Sequence, residues 1–410
     1  MTLALTNLGR ICTFDDQDRV LTGAALLLDP TGVRWIGPQA DLPPPAEGEV
    51  RELLDCGGRA ALPGLVDSHT HTVFAGDRRE EFALRSAGAT YAEIHAAGGG
   101  IRRTMTLTRA ADEATLLDQA AARALAMLRR GVTTIEVKSG YGLDLETELR
   151  MLRVARAIEQ RVPVRVFTTF LGAHTVPPEY AGRRGDYVDF VCDAVLPRVA
   201  EERLADFCDV FCEAGAFTLD ESRRVLEAGR RFGLLPKLHA DQLSRTGAAA
   251  LGVELGAISV DHLERATPED AALLGRHPST VAVLLPASVV FLGSKAWPPG
   301  AALLDAGASV ALATDLNPGS SMCDDLPLMT TLACTHLGFS PHAALRAITR
   351  GGADALARPE LGRLAVGAAP DVLVLDATHE EDLPYRFGAV APYAVVSRGR
   401  VALGPGRSGI

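Results

Sequence analysis

Between about residue 61 and residue 361 the chain alternates short β-like runs with segments of helical period, and that alternation constrains its fold more than any other feature. Apolar runs recur at 62–68, 131–138, 163–171, 209–213, 235–239, 257–261, 280–285 and 309–314. Amphipathic segments separate them. DEATLLDQAAARALAMLRRG sets Leu117, Ala121, Ala124 and Leu128 on one face and stops at Arg129, Arg130 and Gly131. ETELRMLRVARAIEQR and LDESRRVLEAGRRFG behave likewise. Eight such strand–helix units in roughly 300 residues predict an α/β fold, a (β/α)8 TIM-like barrel, with its chemistry where the strands end.

The two ends of the chain have another texture. Residues 1–60 read as short strands, LALTNL, RICTF, VLTGAALLLD, VRWIG and RELLDC, punctuated by the turn signals DPTG and LPPPAEGE. Residues 362–410 repeat that texture in GRLAVGAAPDVLVLD and YAVVSRGRVALG. The expected organisation is a small β-sandwich domain made from 1–60 and 362–410, with the barrel, 61–361, between its two parts.

Composition narrows the partners. At 410 residues, 47% apolar and 22% charged, the chain has the make-up of an ordinary globular protein. A net charge of −10 argues against nucleic acid and against anionic membrane surfaces. It also means that an anionic substrate needs a locally positive pocket. No run of 18 apolar residues is present to span a membrane, and MTLALTNLGR does not read as a secretion signal. Seven cysteines, odd in number and without CxxC spacing, fit a reducing, cytoplasmic setting. Cys208 and Cys212, in or beside a strand-like run, read as packing residues.

Residues able to carry chemistry gather where the runs end. Leu62 to Val66 leads into His69 and His71, which share one side of an extended strand because residues i and i+2 do. Two neutral imidazoles so placed can converge on one ion, zinc or iron. Arg78 follows as a fixed cation at the rim, with Arg79 as the local alternative. Later runs end in Lys138 and Tyr141, in His174, in Glu213, in His239 and Gln242, in His262 and Glu264, and in Asp315, Asn317, Gly319 and Ser320. His95, His277, His336, His342 and His379 show no partner pattern and read as surface or packing residues.

HTHTVFAGDRREEF, EVKSGYGLDLETE, TFLGAHTVP, LHADQLS, SVDHLE and ATDLNPGSS together resemble the amidohydrolase superfamily, and within it the imidazolonepropionase family of histidine degradation. The resemblance runs over essentially the whole chain. It implies hydrolysis of 4-imidazolone-5-propanoate, a small anionic substrate, to N-formimidoyl-L-glutamate with one divalent metal per chain, Zn2+ or Fe2+/Fe3+. It implies His69, His71, His239 and Asp315 as metal ligands. Arg78, Tyr141, His174, Gln242, Asn317, Gly319 and Ser320 then contact substrate, and His262, Asp315 and Gln242 serve catalysis. A homodimer is also implied. Some relatives carry a carbamylated lysine on the fourth strand; Lys138 belongs to the second, so an ion pair or a contact near substrate is expected of it. Glu213 receives no role. Two other readings stand beside this one. A base deaminase would use an acid in HxxE, where this chain has Gln242, and a dead scaffold would lack ligands, where this chain lacks none.

Overall fold

Sixteen strands form two sheets in a computed structural model that describes residues 1–88 and 99–405. The chain begins with β1 (Thr2–Cys12), β2 (Val20–Asp29), β3 (Gly32–Pro38), β4 (Arg51–Asp55) and β5 (Ala60–Pro63). Then come β6 (Leu65–Asp67), β7 (Val132–Lys138), β8 (Arg165–Ala173), β9 (Phe207–Cys212), β10 (Leu235–Ala240), β11 (Ser259–His262), β12 (Val281–Leu284) and β13 (Val310–Leu312). The last three are β14 (Val372–Leu375), β15 (Pro392–Ser397) and β16 (Arg400–Leu403).

Strands β6 to β13 are hydrogen-bonded in sequence order, every neighbour parallel, and form the expected barrel. Each of the eight predicted runs overlaps one of them, with ends that differ by a few residues. The other eight strands form a mixed sheet in the order β16-β15-β14-β5-β1-β2-β3, with β4 on β1. This unit of the chain ends is one hydrogen-bonded sheet around its own core of Leu3, Leu5, Leu26, Leu28, Val372 and Val396.

Local physics explains where the structure differs from the sequence reading. LALTNL and RICTF are one strand, broken only by a register shift between Leu5 and Leu8, where Asn7 takes φ 55°. The run 62–68 is two strands. β5 pairs with β1 and β14 in the terminal sheet, and β6 opens the barrel. Gly64 is the crossing point, and a Cβ there would lie 2.2 Å from Thr133 Oγ1. The helix Glu113–Leu128, capped by Asp112, buries Leu116, Ala120, Ala121, Ala124, Met127 and Leu128 and leaves Leu117 half-buried. Its inward stripe thus keeps Ala121, Ala124 and Leu128 of the predicted face and is wider than that face, taking in Leu116, Ala120 and Met127 as well.

Closure of the barrel positions the site. No ladder joins β6 to β13; their continuations meet instead. His71 N–H donates to Leu316 C=O at 2.9 Å and Asp315 N–H to His69 C=O at 3.0 Å. Below them the buried Asp67 carboxylate accepts from Thr314 Oγ1 at 2.7 Å and Thr314 N–H at 3.2 Å. The seam thus fixes the first histidine pair directly against the last aspartate. Among the described residues, no helix is long and apolar enough to cross a membrane.

Candidate active site

Five side chains from four places in the barrel converge at its C-terminal mouth. His69 Nε2 and His71 Nε2 each lie 3.6 Å from Asp315 Oδ1. The His239 ring centroid is 4.6 Å from that of His69 and 5.7 Å from that of His71. His262 stands 5.2 Å from His239. Donor atoms of His69, His71 and Asp315 lie within 4.8 Å of one another, as do those of His69, His239 and His262.

This donor set fits a divalent ion. Four N and O donors about 2.1 Å from an ion in a tetrahedron stand about 3.4 Å apart, close to the separations here. His69 Nδ1 is 2.6 Å from Asp261 Oδ2, so the Nδ1 proton is donated to that carboxylate. The opposite nitrogen, Nε2, is buried with no hydrogen-bond partner. An orphaned imidazole nitrogen facing a carboxylate is costly unless a cation or a donor sits between them.

Burial disfavours the charged forms of His69 and His71, as ligation by neutral imidazole requires. It pushes His69 and His71 well below their ordinary value, with Lys138 and the neighbouring histidines adding to the effect. His174 is pushed down to about 3 by burial and then by His239. For His262, burial opposes the charged form, but Glu264, Asp315 and Asp261 outweigh it and raise the pKa. These shifts predict how metal-free protein responds to acid. His69, His71 and His174 have folded values below the unfolded one, so unfolding takes up protons below about pH 6.5 and stability falls with pH. His262 acts in the opposite sense, adding stability at low pH that is lost as pH rises through its folded value. Each of the three contributes a fall of up to about 1.4 kcal/mol per pH unit below about pH 6.5, against which the Asp67 carboxyl, pushed up to about 7 by burial, adds stability as it takes up its proton. Histidine NMR titration of metal-free protein checks the assignment, and imidazoles of His69, His71 and His174 that charge near pH 6.5 would contradict it.

The strand ends are held in unusual backbone. Asp241, His262, Leu263 and Asp315 take φ of 51°, 83°, 67° and 54°, left-handed values that cost non-glycine residues on the order of 1 kcal/mol each. Buried carboxylates hold the loops that follow. Glu148 accepts the N–H groups of Gly140, Gly142 and Leu143, which fixes the loop carrying Tyr141. Tyr141 and His174 rings lie 5.8 and 5.3 Å from His71, the latter stacked on it. Glu213 accepts from Leu243 N–H, Ser244 N–H and Ser244 Oγ, so this residue clamps the loop bearing the half-buried Gln242.

Asn317 builds the last loop. Its Oδ1 accepts from the N–H groups of Gly319 and Ser320 at 2.8 Å, and its Nδ2 donates to Asp315 C=O and Ser320 Oγ at 2.7 Å. Ser320 Oγ in turn donates to Asp315 Oδ2 at 3.2 Å. Arg78 Nε and one of its terminal nitrogens pair with Glu81 at 2.9 and 2.7 Å, while the other terminal nitrogen packs onto Gly319. Arg79 points to solvent against Asp77. A second guanidinium, Arg85, donates to Gly319 C=O at 3.2 Å, and burial followed by the nearness of Arg78 lowers its pKa. Among the described residues, the guanidiniums of Arg78 and Arg85 thus share the Glu81 carboxylate at this rim.

Sequence reasoning left several of these residues aside. Glu148 and Arg85 offer little signal, since acids and arginines on helices usually face water. Glu136, Asp209 and Asp261 offered a clearer one: each is an acid inside a strand of a parallel barrel, where a continuous apolar run is the rule. Of the histidines without a pattern, His277 and His336 are exposed, His342 pairs with Asp18, His379 is half-buried, and His95 lies outside the described residues. All seven cysteines are free, with Cys208 and Cys212 buried in β9.

Known proteins resemble this chain in sequence and fold. The profile of the Amidohydrolase family matches residues 60–402. An imidazolonepropionase of Myxococcus xanthus is 46% identical over 98% of this chain and 97% of its own, and one of Rubrobacter xylanophilus is 50% identical over 93% and 91%. Among solved structures, atrazine chlorohydrolase from Arthrobacter aurescens, complexed with zinc, superposes with a TM-score of 0.73 at 19% identity, covering 98% of this chain and 95% of its own. At that identity the likeness concerns the fold. The chain belongs to the imidazolonepropionase family of the amidohydrolases.

Proposed function

We propose that this enzyme opens the ring of 4-imidazolone-5-propanoate by hydrolysis, yielding N-formimidoyl-L-glutamate in histidine degradation. The observation that carries the chemistry is the orphaned Nε2 of His69, set 3.6 Å from Asp315 within a cluster of buried imidazoles. His69, His71, His239 and Asp315 would hold one divalent ion, zinc or iron. Such an ion supplies Lewis acidity and lowers the pKa of a bound water toward ~7.

The chain's own groups do the rest. Asp315 and His262 orient the attacking water and accept its proton. The water oxygen bonds to the lactam carbonyl carbon, the ring C–N bond breaks, and the accepted proton passes to the departing formimidoyl nitrogen. Tyr141, His174, Gln242, Asn317, Gly319 and Ser320 line the space in which the ring is held. The propanoate tail is assigned to the Arg78 rim. There Glu81 offsets one guanidinium, and Arg85 leaves the locality positive in a chain of net charge −10. Seven free cysteines favour a cytoplasmic setting, and a homodimer completes the reading.

Purified enzyme mixed with freshly generated imidazolone propanoate should discharge the substrate's ultraviolet absorbance. Arg78→Ala should lower kcat/KM by ~10²-fold, much of it in KM, because the tail lies far from the bond being broken. An analogue lacking the carboxylate should be poor with the unaltered enzyme and nearly indifferent to the substitution. Equal losses on both substrates would mean that Arg78 serves only its pair with Glu81, and the tail assignment would fall.

A further inference from the structure

Directly beneath the histidines lies a layer that a barrel of this kind does not ordinarily contain. Barrel interiors are filled by branched apolar side chains. Here Glu136, Lys138, Asp209, Lys237 and Asp261 are all fully buried in one cluster. Desolvating each such charge costs several kcal/mol, so their retention calls for a reason beyond packing.

The contacts supply one. Lys138 Nζ lies 2.8 Å from Asp209 Oδ2, 2.8 Å from Glu136 Oε1 and 3.5 Å from Asp261 Oδ2. The same two aspartate oxygens face the histidines above: Asp261 Oδ2 is 2.6 Å from His69 Nδ1, and Asp209 Oδ2 is 3.0 Å from His239 Nδ1. Asp209 also accepts the His239 backbone N–H through Oδ1 at 3.1 Å. One ammonium thus sits between the carboxylate that fixes the tilt and tautomer of His69, after β6, and the carboxylate that lies against Nδ1 of His239, on β10. Lys237 differs. Its Nζ reaches Glu136 at 3.3 Å and Ser68 C=O at 3.4 Å, and it makes no ion pair with Asp209 or Asp261 among the described residues.

We propose that Lys138 is a positioning residue of the metal centre, tying Asp209 to Asp261 so that His239 and His69 present their free nitrogens to one ion. The inference rests on the metal reading above. Without the ammonium, two buried carboxylates face each other with no cation between them. Both then move or take up protons, and the imidazoles lose their fixed orientation. Partners that orient ligating histidines typically contribute 10–100-fold to metal affinity.

The test is zinc affinity by chelator competition on the full-length protein, compared with unfolding in urea. Lys138→Met should bind zinc ~10–100-fold more weakly and release it faster. Lys237→Met, which removes an equally buried ammonium, should keep the affinity of the unaltered protein. In cobalt-loaded protein the d–d absorption should change for Lys138→Met and not for Lys237→Met. Should Lys138→Met fail to fold, Lys138→Gln, which keeps a donor for one carboxylate only, carries the same expectation. Equal affinities in Lys138→Met and the unaltered protein, or equal losses in both lysine variants, would overturn the proposal and leave Lys138 as a packing ion pair. An unaltered protein that takes up no divalent ion would overturn the metal reading itself, a separate outcome.

Discussion

Removing the divalent ion with a chelator should abolish turnover and leave the fold in place. The two halves of that expectation come from different parts of the molecule. His69, His71, His239 and Asp315 stand at strand ends, outside the apolar packing. The main core, built from residues such as Leu65, Ile135, Phe170, Leu238, Leu284 and Leu312, makes no use of them. A core of this size does not depend on one ion, in contrast to small domains that are unfolded without theirs. Turnover does depend on it, since neutral imidazoles and a buried carboxylate cannot by themselves make water a nucleophile near neutral pH. Far-ultraviolet circular dichroism should therefore be unchanged while the absorbance assay goes flat, and added zinc or ferrous iron should restore activity. Full activity in protein holding less than roughly a tenth of an equivalent of any transition metal would refute the mechanism.

Replacing His262 or Asp315 with alanine should lower kcat by ~10²–10⁴-fold, the usual cost of losing a positioned acid–base group. The two should differ in a way that separates their roles. Asp315 shares one oxygen with two histidines at 3.6 Å, so its loss should also weaken metal retention. His262 leans on Glu264 through Nδ1 at 3.3 Å, and its ring stands 5.6 and 5.2 Å from those of His69 and His239, with donor nitrogens of the three within 4.8 Å of one another. His262→Ala should thus keep its metal and its KM while losing kcat. Metal content and steady-state kinetics on the same preparations decide it. A His262→Ala enzyme with undiminished kcat would return that residue to a packing role, and loss of its metal would make it a ligand.

What could be read along the chain was whatever depends on near neighbours. The apolar runs between about 61 and 361 report strands because a buried parallel strand needs apolar side chains on both faces, whatever it pairs with. His69 and His71 fall on one side of the chain by strand geometry alone, and the remaining donors could be placed at strand ends before any contact was known. Arg78 and Glu81, three residues apart at a helix start, are likewise near neighbours by spacing alone.

Only the closed barrel decided which side chains meet across it. Asp261 reaches His69 and Asp209 reaches His239 because register sets those residues at one level of the barrel, with Lys138 between them. A shift of one residue in any of these strands would turn its acid outward. The split of 62–68 at Gly64 likewise depends on Thr133, which the sequence keeps far away. Residue spacing along the chain reports periodicity, and periodicity reports which face of an element is buried. It carries no information on the partner met there, because register and closure are settled by packing summed over the whole barrel.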